Sequence, residues 1–96
     1  MSNRRVRQKD VDLLMTAIIA AEESDYRGLA AAEAKLLKLA AADEMFEAKL
    51  IAATTARLAL ALSCPREEVE TAVRVDVARH VSQPLRLLRA EAAGSA

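Results

Sequence analysis

The side chains best suited to catalysis or metal binding are scarce in this 96-residue chain. It contains a single cysteine, Cys64, and a single histidine, His80. One cysteine excludes a disulfide within the chain, and a zinc site normally needs three or four clustered Cys, His or carboxylate ligands. Acidic residues are plentiful, but none is paired by spacing with a histidine or a nucleophile. The sequence therefore predicts a protein that is not an enzyme and binds no metal or other cofactor.

Charge is balanced overall but unevenly distributed along the chain. Fourteen basic residues match fourteen acidic ones, so no net field favours nucleic acid or acidic lipid. The first nine residues nevertheless carry a charge of +4, from Arg4, Arg5, Arg7 and Lys9. Residues 10–47 hold nine acids and three bases. This pattern predicts a basic N-terminal arm, residues 1–9, in front of an acidic helical body.

Residues 58–69 have the pattern of a helix end, a short turn and a new helix. The turn is Ser63-Cys64-Pro65, and Glu67 and Glu68 follow it. A helix-turn-helix has this organisation. The residues at the turn resemble the Leu-Gly-Val-Ser-x-Glu-Glu-Val pattern of many bacterial DNA-binding domains. The resemblance covers about 20 of the 96 residues, and it implies a DNA-binding corner over residues 58–81.

Two features of this corner depart from a DNA-binding unit. Ser63 stands where glycine usually takes the left-handed turn conformation, and the acids that open the second helix would be repelled by phosphates. A plain helical corner is therefore the preferred interpretation, with Cys64 as a small buried apolar residue. If the chain binds DNA, the contacts are expected from the arm and from two arginines of the second helix: Arg4, Arg5, Arg7, Lys9, Arg74 and Arg79.

The elements that must position these residues are helices. Two glycines and two prolines are too few for an all-β chain, and the strongest helix formers dominate. Apolar spacing predicts a first helix over residues 9–23, followed by a Ser24-Asp25 cap for the next one. The expected fold is all-α, a small bundle of four or five helices. It forms one domain, residues 10–93, with a flexible tail at 94–96.

The stretch from Leu29 to Leu62 contains no glycine or proline and has two interpretations. As one helix it would be about 51 Å long, which exceeds the roughly 32 Å diameter of a compact chain of this size. Alternatively, Asp43 can cap a new helix after three alanines. We therefore expect a break or kink near Ala42-Asp43.

The last third of the chain gives conflicting signals. Pro65 and the two glutamates after it predict a helix that runs to about Val81. The alternating valines of residues 73–77 are a strand signal, but a lone strand would need a partner, so a helix is preferred. Gln83-Pro84 is expected to restart the chain as a short last helix that ends near Ala92.

The many alanines bear on assembly. They make up 22 of the 51 hydrophobic residues and leave only 29 larger apolar side chains. Such a chain is marginal alone, because alanine buries little area while its backbone costs as much to order. We therefore predict a homo-oligomer, most simply a two-fold dimer, that shares its core. The interface is expected to use Leu36, Leu39, Phe46, Leu50 and Leu60.

These features favour a small helical interaction or adaptor module that self-associates and binds a protein partner. The alternative is a small DNA-binding regulator built on the corner and the basic arm. No charge-free run approaches the roughly 20 residues needed to cross a bilayer. Asp10 and Asp12 precede any apolar run, which argues against a signal peptide. We expect a cytoplasmic protein without a membrane partner.

Overall fold

The computed structural model describes residues 5–94, which contain helices and no strand. The helices are α1 (Gln8–Glu22), α2 (Tyr26–Ala42), α3 (Phe46–Leu62), α4 (Arg66–Val77) and α5 (Gln83–Gly94), with a π-helical segment at Ala78–Ser82. The predicted all-α class is confirmed, and the alternating valines of 73–77 lie in a helix. The basic arm is shorter than expected, because α1 already begins at Gln8. Arg4 and the tail residues Ser95 and Ala96 lie outside the described residues.

Short polar turns separate the first three helices. Asp25 caps α2 as predicted, since its Oδ1 accepts a hydrogen bond from the Gly28 N–H at 3.0 Å. Gly28 leaves room for this cap, because a Cβ there would collide with the Asp25 carboxylate. At the next turn Asp43 ends α2, and its Oδ1 accepts from the Met45 N–H at 2.9 Å. The predicted break at Ala42-Asp43 is confirmed, and α2 and α3 are separate helices of 17 residues each.

The corner at residues 63–65 joins α3 to α4. Ser63 takes the left-handed conformation usually occupied by glycine, with φ 54°. The Cys64 N–H donates to the Ala59 carbonyl at 3.2 Å and closes the end of α3. The prediction that Cys64 is buried is wrong. Residues 60–68 are all exposed, because none of the described helices covers this end of the α3–α4 pair.

The last helix begins at Gln83 as predicted and runs to Gly94, which was expected to lie in the tail, but the break expected before this helix is not found. α4, the π segment and α5 form one continuous helix, in which Gln83 keeps helical backbone angles and its N–H donates to the Ala78 carbonyl. In an α-helix the ring of Pro84 would clash with the carbonyl four residues earlier. The wider turn of the π segment, directly before Pro84, relieves this clash.

Burial explains why the wider turn falls at this position. The buried apolar side chains of this long helix recur every four residues: Val69, Val73, Val77, Val81 and Leu85. On an α-helix, a spacing of four residues drifts by about 40° at each step. A π turn holds more residues, so it takes up the drift and keeps Val81 and Leu85 on the buried side.

One hydrophobic core unites two helical hairpins, α1–α2 and α3–α4. Its largest fully buried apolar side chains are Phe46, Leu14, Leu36 and Leu50. The molecule measures 49 × 35 × 21 Å. It exposes 6552 Å², about a fifth more than the roughly 5,400 Å² expected for a compact protein of this mass. An elongated shape therefore leaves more surface uncovered than its size requires.

Candidate functional site

The residues predicted to form a subunit interface do not share one surface. Leu36, Phe46 and Leu50 lie in the core of the single chain, with at most 2% of their surface exposed. Leu39 is half-buried, and Leu60, near the end of α3, is 84% exposed. The break between α2 and α3 is the reason, because it allows both helices to pack their apolar faces into one core within the same chain. Of the five, only Leu60 is fully accessible to a second copy in this fold.

The residues predicted to contact nucleic acid also lie apart. Those of the arm that the structure describes are exposed around the start of α1, namely Arg5, Arg7 and Lys9. Arg79 is exposed on the π segment. Arg74 pairs with Glu70 at 3.6 Å, in a groove that also contains Glu44 and Glu47. Because Arg74 lies among acidic side chains, it does not extend the positive charge of the arm.

One polar contact that the sequence did not predict links α2 to the π segment. His80 Nδ1 lies 2.9 Å from Glu33 Oε2, and the histidine is 3% exposed. A carboxylate only accepts hydrogen bonds, so the Nδ1 N–H is the donor. The two residues are 47 positions apart, which is beyond the reach of any helical spacing rule. The contact ties α2 to the segment that leads into α5.

Just beyond this contact along both helices, α2 and α5 form the walls of an open groove of about 620 Å³. Its apolar lining is Ala34, Leu37 and Ala41 from α2, with Leu85, Leu88 and Ala92 from α5. Within each set the residues are three, four or seven positions apart, so each set lies on one face of its helix. Leu88 is 49% exposed. An open apolar groove between two helices is a surface against which a third helix can pack.

The rim of this groove is positively charged. Lys35, Lys38 and Arg89 complete its lining, and none of the described residues that line it is acidic. The two lysines also line a smaller groove of about 280 Å³ between α1 and α2, where Lys9 joins them. We call these four cations the basic stripe: Lys9, Lys35, Lys38 and Arg89. The order of residues along the chain does not indicate this stripe, because its members are far apart in sequence and come together only through the packing of α1, α2 and α5.

Among residues 5–94, no three or more His, Cys, Asp or Glu side chains come together in a way that could hold a metal ion. No helix in this range is long and apolar enough to cross a membrane. Comparisons with protein-family models, curated proteins and solved structures find no match to this chain. Function is therefore argued from the groove between α2 and α5 and from the basic stripe.

Proposed function

We propose that this protein is a self-associating helical interaction module that holds an amphipathic helix of a partner protein in the groove between α2 and α5. The proposal rests on the open apolar lining of the groove, which we call its floor and which includes Leu37, Leu85 and Leu88. The ridges of a third helix fit between those of two packed helices, which is a recurrent mode of peptide recognition. Each leucine that the partner buries there would contribute about 1.5–3 kcal/mol.

The occupant we propose is a different protein rather than a second copy of this chain. A two-fold contact brings the same surface of both copies together. The three cations at the rim would then face three like charges, and such juxtapositions are disfavoured at interfaces. A helix of different composition avoids this repulsion.

Self-association would use the exposed end of α3. Leu60 and Leu62 are 84% and 61% exposed there. The charges that follow have both signs, Arg66 beside Glu67 and Glu68, so two copies related by a two-fold axis can pair them. A dimer built at this end leaves the groove free.

The alternative, a DNA-binding regulator, has less support. The helix that would enter the major groove opens with Glu67 and Glu68, and its Arg74 lies among glutamates. We also propose a cytoplasmic, non-catalytic protein. Both statements rest on the composition, with its single cysteine and single histidine.

Titration of the full chain with a synthetic peptide tests the proposal. The peptide is an amphipathic helix of about 18 residues, long enough to become helical. It carries leucines on one face and glutamines elsewhere, so that charge plays no part. We expect chemical-shift changes in the NMR spectrum to concentrate at the groove, at Leu37, Leu85 and Leu88 in particular.

Two leucines of α5 provide a matched pair of variants. Leu88→Asn removes a side chain from the groove and should weaken peptide binding about tenfold. Leu87→Asn changes the neighbouring residue, which lines the opposite side of α5, and should leave binding unchanged. Shift changes elsewhere on the surface, or equal losses in the two variants, would contradict the proposal.

A further inference from the structure

We infer that the partner helix is acidic, with aspartate or glutamate on both sides of its apolar face. The inference rests on the proposed function and adds the chemistry of the partner to it. Its basis is the placement of the basic stripe around a groove whose floor is apolar.

The cations of the stripe take part in none of the ion pairs found among residues 5–94, which include Lys49–Asp43, Arg74–Glu70 and His80–Glu33. One acid, Asp10, lines the smaller groove beside them; it is 1% exposed and accepts a hydrogen bond from the Arg7 N–H at 3.0 Å. The four cations therefore outnumber the single carboxylate that lines the two grooves. This net positive charge favours an anionic partner.

The cations flank the groove on both sides. Lys35 and Lys38 lie one helical turn apart on α2, on the ridge between the two grooves, and Arg89 lies on the opposite wall. A helix lying on the apolar floor would thus have positive charge along both of its edges. Carboxylates on either side of its leucines would meet that charge, while Lys9 extends the positive field toward α1.

The apolar floor distinguishes an acidic helix from other anions. Contacts to a nucleic-acid backbone are made by cations and hydrogen-bond donors, whereas leucine and alanine side chains do not interact favourably with phosphates. The long stems of lysine and arginine can cover apolar surface while their charged ends reach acids at the edge. Leu37 and Leu88 between the cations therefore favour a protein helix over nucleic acid.

Three peptides that share one leucine face test the inference on the full chain. Their flanking positions carry glutamate, glutamine or lysine, and fluorescence anisotropy gives each dissociation constant. At about 50 mM salt, where charges interact over more than 10 Å, we expect the glutamate peptide to bind about tenfold more tightly than the glutamine peptide. The lysine peptide should bind most weakly. At about 300 mM salt most of this difference should disappear.

Charge reversal identifies the residues that make affinity depend on the charge of the peptide. The double variant Lys35→Glu with Lys38→Glu should weaken binding of the glutamate peptide by about tenfold or more and strengthen binding of the lysine peptide. The matched control, Arg27→Glu with Arg79→Glu, changes the net charge equally at exposed positions outside both grooves. It should leave the order of the three peptides unchanged. Circular dichroism of both variants checks that the helices are retained.

The outcomes separate the two proposals. Equal affinity for all three peptides would overturn the inference and leave the proposed function standing. Failure of every peptide to bind would overturn the proposed function itself. Binding of a mixed-sequence DNA duplex that is lost on reversal of Lys35 and Lys38, without peptide binding, would identify a nucleic-acid surface and overturn both.

Discussion

A single hydrogen bond between Glu33 and His80 joins one wall of the groove to the segment that leads into the other. The lining of each wall begins soon after it, at Ala34 in α2 and at Leu85 in α5. Because the imidazole is buried, its N–H has no ready replacement partner if the carboxylate is removed. This residue pair therefore contributes to the alignment of the groove as well as to stability.

Substitutions at Glu33 measure that contribution. Glu33→Ala leaves the His80 N–H unpaired and should lower the free energy of unfolding by about 1–2 kcal/mol. Glu33→Gln keeps an acceptor oxygen and should cost less than half as much. Urea denaturation gives both values, with Glu23→Ala, at an exposed position, as the control. Equal losses for the two substitutions at Glu33 would show that the hydrogen bond is not the cause.

Among the helices, the boundaries that the sequence predicted correctly are those set by local chemistry. Asp25 and Asp43 accept hydrogen bonds from backbone N–H groups at most three residues later, so their capping role can be predicted from the sequence. The break expected before the last helix at Gln83-Pro84 is not found, because the continuity of the helix there depends on packing. The four-residue spacing of Val73, Val77 and Val81 is the signal that could have indicated a π turn.

The candidate site was much less predictable than the helices. The groove needs α2 and α5 to pack side by side, although a long stretch of chain separates them. The basic stripe needs Lys9, Lys35 and Arg89 to share one surface, and only tertiary packing brings them together. For the same reason the sequence did not show that Leu36 and Leu50 are buried in the core of a single copy.

Substitutions at two valines of α4 distinguish a helix from the strand that the alternating valines indicated. Val77 is 1% exposed and Val75 is 51% exposed. Val77→Ala should cost about 2 kcal/mol of stability through lost burial and a cavity. Val75→Ala should stay within about 0.5 kcal/mol, because alanine is also the better helix former. Thermal unfolding measures both, and comparable losses would indicate that the two valines share a face, as in a strand.

The whole molecule builds a core of large apolar residues within one chain and still exposes more surface than its mass requires, including large apolar side chains such as Leu60 and Leu62. Folding and the proposed self-association, which the high alanine content had linked, are therefore separate properties of this chain. The folding of the core places Leu36, Phe46 and Leu50 inside a single copy. Association, as proposed, would then add an interface at the exposed end of α3 and would not complete the core.

Two leucine-to-aspartate substitutions distinguish folding from association. Leu50→Asp buries a charge in the core and should abolish the helical circular dichroism signal at every concentration, since its cost approaches the ~5–15 kcal/mol stability of a whole domain. Leu60→Asp lies at an exposed position and should leave helicity intact. Sedimentation should give a dimer for the original chain and a monomer for Leu60→Asp. A dimer in both would place the interface elsewhere.

The π segment also bears on how the partner-binding surface can change. Because α5 continues α4 without interruption, a change of residues 78–82 from π to α geometry at constant length would rotate everything beyond them by about 100°. That change would bring Leu87 to the angular position now held by Leu88. A substitution that alters the geometry of this short stretch would thus turn a different face of α5 toward the groove and alter its preferred ligand, while residues 5–77 kept their packing.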